Sequence, residues 1–131
     1  MTAPNLAYVI LYVLDVPASI AFWEKAFGLT RRFLHESNEY AELETGSTTL
    51  AFSAEALIQQ LGLPHRPNRR DHPPAGIEVA LATKELNALF ERATNAGAEV
   101  VKPPETKPWG QVTAYVRDPD GILVELCTPM R

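Results

Sequence analysis

The sequence predicts an α+β fold made of a duplicated strand–helix–three-strand (βαβββ) unit, and three observations carry the prediction. Continuously apolar, strand-like runs open near Leu6 and again near Ile77. Each is followed by a segment with apolar residues at helical spacing that stops at a glycine, Gly28 or Gly97. Each helix is followed by short strand-like segments divided by turn residues. The spacing agrees: Tyr8 to Gly28 is 20 positions (28 minus 8) and Glu78 to Gly97 is 19 (97 minus 78). The halves share pattern rather than identity, so the inference is one of repeated architecture.

The first strand, Leu6 to Val13, is rich in Tyr, Val, Ile and Leu. Asp15 is placed to cap the next helix and Pro17 suits its first turn, after which Ile20, Trp23 and Phe27 share one face. Thr30 to Glu36, Tyr40 to Glu44 and Thr48 to Ser53 read as an antiparallel meander, broken at Ser37-Asn38 and Gly46-Ser47. Ala54 to Leu61 reads as a short helix. Pro64, Pro67, Pro73 and Pro74 then exclude regular structure between Gly62 and Gly76, either a crossover or a lid.

The second unit opens with Ile77 to Ala82. Thr83 is a cap for a helix in which Leu86, Leu89, Phe90 and Ala93 follow i, i+3, i+4, i+7 spacing. A short strand, Glu99 to Lys102, follows. Val112 to Arg117 and Ile122 to Thr128 then flank Asp118-Pro119-Asp120-Gly121, a turn with Pro second and Gly fourth. The expected organisation is one domain over 1–131, with a first module over 1–61, a linker over 62–76 and a second module over 77–131.

Composition narrows the function classes. The 131 residues are 46% hydrophobic and 21% charged, as in an ordinary globular domain with a sizeable core. A single cysteine, Cys127, permits no intrachain disulfide and reads as a buried filler, which fits a reducing, cytoplasmic setting. The longest apolar run, Leu6 to Leu14, is nine residues, about half a membrane span. A net charge of −4 disfavours nucleic acid, and Arg66, Arg69 and Arg70 lack interleaved aromatic residues.

Strand parity then sorts side chains by face. Val9, Leu11 and Val13 should pack under the first helix, with Tyr8, Ile10 and Tyr12 opposite. Ile77, Val79 and Leu81, together with Val112, Ala114, Val116, Val124 and Leu126, should pack under the second. The opposite face then carries Glu78, Thr113, Tyr115, Arg117, Glu125 and Cys127. A mid-strand Glu among apolar neighbours needs a partner, because a buried, unpaired carboxylate costs several kcal/mol. Arg117, tyrosine hydroxyls, Trp109, water, a metal ion or a ligand can each supply one.

These residues resemble the vicinal oxygen chelate superfamily of glyoxalase I, bleomycin-resistance proteins and extradiol dioxygenases. The first-module signature is Val13-Leu14-Asp15-Val16-Pro17-Ala18-Ser19, then Ala21-Phe22-Trp23 and Phe27-Gly28-Leu29. The second is Ala96-Gly97-Ala98, then Tyr115-Val116-Arg117-Asp118-Pro119-Asp120-Gly121 and Val124-Glu125-Leu126. The resemblance implies tandem βαβββ modules forming a curled mixed sheet with a U-shaped groove, commonly completed in a homodimer, with one divalent metal in many members. Of the four ligand positions that it implies, only Glu125 is retained. Tyr8 and Glu78 stand where His or Gln and His are usual, and the remaining Glu position falls near Ala51.

Two functional readings follow. In the first, the chain binds a small molecule without the usual complete metal site. Tyr8, Tyr12, Trp109 and Tyr115 then stack on the guest while Glu78 and Glu125 engage a cationic group. In the second, it is a metal-dependent lyase, isomerase or dioxygenase whose one divalent ion rests on Glu125 and Glu78, with His35 a further donor if the meander curls inward. Glu78 and Glu125 are the only candidates for acid–base catalysis. No HExxH, GxSxG, GxGxxG or P-loop motif is present.

Overall fold

The computed structural model describes residues 1–130 and has the expected α+β architecture. The elements run β1 (Tyr8–Val13), α1 (Val16–Phe27), β2 (Thr30–Leu34), β3 (Tyr40–Glu44), β4 (Thr49–Ala54) and α2 (Glu55–Gln60). The second series is β5 (Glu78–Ala82), α3 (Leu86–Asn95), β6 (Glu99–Thr106), β7 (Val112–Arg117) and β8 (Leu123–Cys127). Each series forms its own four-stranded mixed sheet, ordered β1-β4-β3-β2 and β5-β8-β7-β6. In both, the opening strand pairs in parallel with the last strand of its series, and the other pairings are antiparallel. The chain divides into two compact units, one of Met1–Glu24 with Leu29–Pro67, the other of Lys25–Gly28 with the chain from Asn68 onward.

In the first unit the Asp15 carboxylate accepts from the Ala18 backbone N–H at 3.1 Å, satisfying one donor that the start of α1 would otherwise leave open. Ile20 and Trp23 are fully buried with Val13, Leu43 and Phe52, and the Trp23 ring meets Phe52 edge-on at 5.7 Å. β4 lies inside its sheet and is buried along its whole length, which suits its small and apolar sequence TLAFSA.

In the second unit Ala114, Val116, Val124 and Leu126 are fully buried, with α3 against β6, β7 and β8 through Leu86 and Ala93. The Thr83 hydroxyl accepts from the Glu85 N–H at 3.0 Å just ahead of α3. Gly28 takes φ +70°, and a Cβ there would lie 2.9 Å from the Arg92 guanidinium, whose Nε donates to the Lys25 carbonyl at 2.7 Å. Conformation and space both require glycine at this position.

Two expectations need correction. Ile77 does not pack under a helix; it is 71% exposed, because parallel pairing starts one residue later, at Glu78 opposite Leu123. The strand expected over Glu99 to Lys102 runs on to Thr106 through Pro103 and Pro104. β6 is an edge strand, and its register shifts between Lys102 and Glu105, where the two prolines have no backbone N–H to place in a ladder.

Candidate functional site

The second sheet builds a polar cluster on the face away from its core. Ala80 of β5 stands opposite Glu125 of β8, and Glu78 lies two residues back on the same face, so the two carboxyl groups are diagonal neighbours. The two side chains interact directly. Tyr115 of β7 is the cross-strand partner of Glu125, and its hydroxyl donates to Glu125 Oε1 at 3.3 Å. Three strands thus bring Glu78, Glu125 and Tyr115 together, as parity implied.

The electrostatics follow from that proximity. The hydrogen bond shared with Glu125, then desolvation and like charge, push the Glu78 carboxyl up to about 7, so the pair holds a proton near neutral pH. Burial, followed by the two carboxylates, raises the Tyr115 phenol and the Cys127 thiol above their ordinary values. Tyr115 is therefore a hydrogen-bond donor at neutral pH, and the buried Cys127 is a protonated filler rather than a nucleophile.

Arg117 does not partner either glutamate. Its side chain turns to the end of β7 and donates through Nε to the Gly121 carbonyl at 3.0 Å. Its two Nη groups reach the carbonyls of Arg69, Arg70 and His72 in the linker, with Glu99 3.8 Å away. Trp109 sits on the β6–β7 turn, bonded through Nε1 to Gln111 at 2.9 Å. It lines a separate depression with Gln111, Thr128 and Met130, and so does not join Tyr115. Tyr8 and Tyr12 belong to β1 of the first unit; Tyr8 is exposed, and Tyr12 meets the His65 ring edge-on at 5.0 Å. His35 lies beyond β2, where its Nδ1 accepts from the Ser37 N–H at 3.0 Å in a tight turn.

Sequence reasoning missed a second polar cluster, on the first sheet. Glu42 is only 8% exposed. It accepts from the Tyr40 hydroxyl at 2.6 Å and from Arg32 at 3.2 Å. The Arg32 guanidinium also forks onto Glu44 at 2.7 and 3.0 Å and reaches the Thr49 hydroxyl at 2.9 Å. Burial and the Glu42 carboxylate push the Tyr40 phenol far up. The polar groups here all engage one another, with Arg32 shared by both carboxylates, which makes the cluster a support for the sheet rather than a docking point.

A divalent ion of the kind that the resemblance implies does not fit these residues. Among those described, no three His, Cys, Asp or Glu side chains come together. The second sheet supplies two carboxylates, the position at Ala51 has no donor atom, and the phenol at Tyr8 is a poor ligand at neutral pH. On the far side of Tyr115 from the carboxyl pair, a pocket of about 200 Å³ is lined by Pro103, Pro104, Thr113 and Tyr115 together with Lys102, Glu105 and Lys107; neither Glu78 nor Glu125 lines it.

A family model described as Glyoxalase/Bleomycin resistance protein/Dioxygenase superfamily matches residues 5–126. The chain belongs to that superfamily. Its fold is similar to that of a glyoxalase-related enzyme from Fulvimarina pelagi, with a TM-score of 0.82 and 25% identity over 97% of this chain and 89% of that one. An uncharacterized Bacillus subtilis protein, YraH, is 21% identical over 93% of this chain and 96% of its own length. Lactoylglutathione lyase GLX1 of Arabidopsis thaliana is 26% identical over 91% of this chain, which spans 42% of that protein's length. No helix among the described residues is long and apolar enough to cross a membrane.

Proposed function

We propose that the chain binds a small molecule carrying a cationic nitrogen on the open face of the second sheet. The observation that carries this reading is the meeting of Glu78 and Glu125 with the Tyr115 hydroxyl on one sheet face. Two neighbouring carboxyl groups repel when both are ionised, and a bound cation relieves that repulsion while donating charge-assisted hydrogen bonds to them. The Tyr115 ring beside them adds a surface on which a planar cation can rest. Tyr8 and Tyr12 offer a stacking surface of their own on the first sheet, and Trp109, which belongs to the second unit, is a fluorescent reporter there. A homodimer is the assembly in which we expect this binding to occur.

The donor set separates this reading from a metal-dependent lyase, isomerase or dioxygenase. Two carboxylates fall short of the three or four protein ligands that zinc and similar centres take. A chelator should therefore leave the melting temperature and ligand binding unchanged.

Benzylamine, a planar cation at neutral pH, tests the proposal directly. It should raise the melting temperature of the wild-type protein by mass action, and Glu125→Gln should abolish the rise. Equal shifts in wild type and Glu125→Gln, or none with benzylamine and other aromatic amines, would overturn it.

A further inference from the structure

The register of the second sheet places four residues in one row across the strands. Ala80 is opposite Glu125, Glu125 is opposite Tyr115, and Tyr115 is opposite Lys102. The row therefore runs from the carboxyl pair, over an aromatic ring, to a basic side chain at the edge strand. Lys102 and Tyr115 line the same pocket, which places them on one face with Thr113. Neighbouring strands are about 4.8 Å apart, so the acidic and basic ends of the row are separated by roughly 10 Å, the length of a small organic molecule.

The basic end carries net charge. Lys102, Lys107 and Glu105 total +1, two cations minus one anion. Lys107 is already engaged with Glu105 at 2.6 Å. Lys102 is exposed and forms no ion pair within 4.0 Å among the described residues, although its charge helps hold the Glu105 carboxyl low, so its ammonium can turn from Glu105 to a guest. The pocket at this basic end runs up to the Tyr115 ring and lies where Pro103 and Pro104 sit in the register shift of the edge strand.

The geometry points to a zwitterionic ligand: a cationic nitrogen on Glu78 and Glu125, a flat body over Tyr115, and an anionic group on Lys102. This rests on the cation-binding reading above and adds to it the second charge and the direction in which the guest lies. Opposite charges at the two ends reject a guest presented backwards, because each of its ions would then face its own sign.

Three probes of one shape separate the claims when titrated by calorimetry at neutral pH: 4-(aminomethyl)benzoate, benzylamine and benzoate. The zwitterion should bind at least about tenfold more tightly than benzylamine, the gain of one charge-assisted contact. Lys102→Met should remove that advantage without changing benzylamine affinity, and Lys102→Arg should retain it. Lys102 is exposed, so neither variant threatens the fold. If the zwitterion binds no more tightly than benzylamine, or Lys102→Met leaves the difference intact, the zwitterion assignment fails while the cation site stands. If benzoate binds as tightly as the zwitterion and Glu125→Gln changes neither, the carboxyl pair lies outside the site and both readings fall. Absence of binding by all three probes also overturns both.

Discussion

Glu78 shows how one side chain's protonation is tied to the stability of the fold. Its carboxyl is raised from 4.5 to about 7, so between those values the folded chain holds more protons than the unfolded chain. Stability must then fall as pH rises across that window, with the loss complete above about 7. Glu78→Gln removes the excess proton binding. We expect its melting temperature to vary less than that of wild type between pH 5 and 8 and to exceed it at the alkaline end. The difference should be a few degrees at most, since solvent screens an exposed pair. A pH series of thermal melts on both proteins checks this. The parity rule that placed Glu78 and Glu125 on one face applies equally to Tyr40-Ala-Glu-Leu-Glu44, where Glu42 alternates with buried Ala41 and Leu43. That signal was in the sequence. Arg32, the partner of Glu42, was not legible: β2 shifts register between Arg31 and Phe33, so Arg32 departs from the alternation that parity relies on.

Elements begin and end where single contacts decide. Asp15 holds the first turn of α1, and Asp15→Ala should cost about 1 kcal/mol in chemical denaturation, with Asp15→Asn close to neutral. Gly121 closes the β7–β8 turn at φ +90°, and a Cβ there would collide with the Arg69 carbonyl and approach Arg117 Nη2 to 2.7 Å. Left-handed backbone alone penalises a side chain by about 1–2 kcal/mol, so Gly121→Ala should lose at least that much. The Asp-Pro-Asp-Gly motif made this turn readable, because both residue types have fixed conformational demands. β6 was only half readable. Two adjacent prolines normally argue against a strand, yet an edge position with a register shift leaves their missing N–H groups without a required partner. Edge position is a property of topology, which local sequence does not contain.

At the scale of the molecule, the duplicated strand–helix–meander pattern was legible because each copy repeats the same punctuation: an apolar run, a helix stopped by Gly28 or Gly97, and turn residues between short strands. The linker was legible as irregular but not as attached. Arg117 is 9% exposed and binds the carbonyls of Arg69, Arg70 and His72, which straps this stretch to the end of β7 and favours a fixed crossover over a moving lid. Arg117→Met should release the strap. Trypsin should then cut after Arg69 and Arg70 several-fold faster than in wild type, while the benzylamine response persists; unchanged cleavage would mean that other contacts hold the segment.

The return of Lys25–Gly28 to the second unit, with the Arg92 side chain laid across Gly28 and bonded to the Lys25 carbonyl, bears on how the gene can be divided. A break in the proline-rich stretch looks like a natural seam, yet a polypeptide starting at Asn68 would be missing four residues that its own unit uses. Split reporters or shuffled hybrids made at that seam would therefore inherit an open wound beside Arg92, one that only the other fragment can dress.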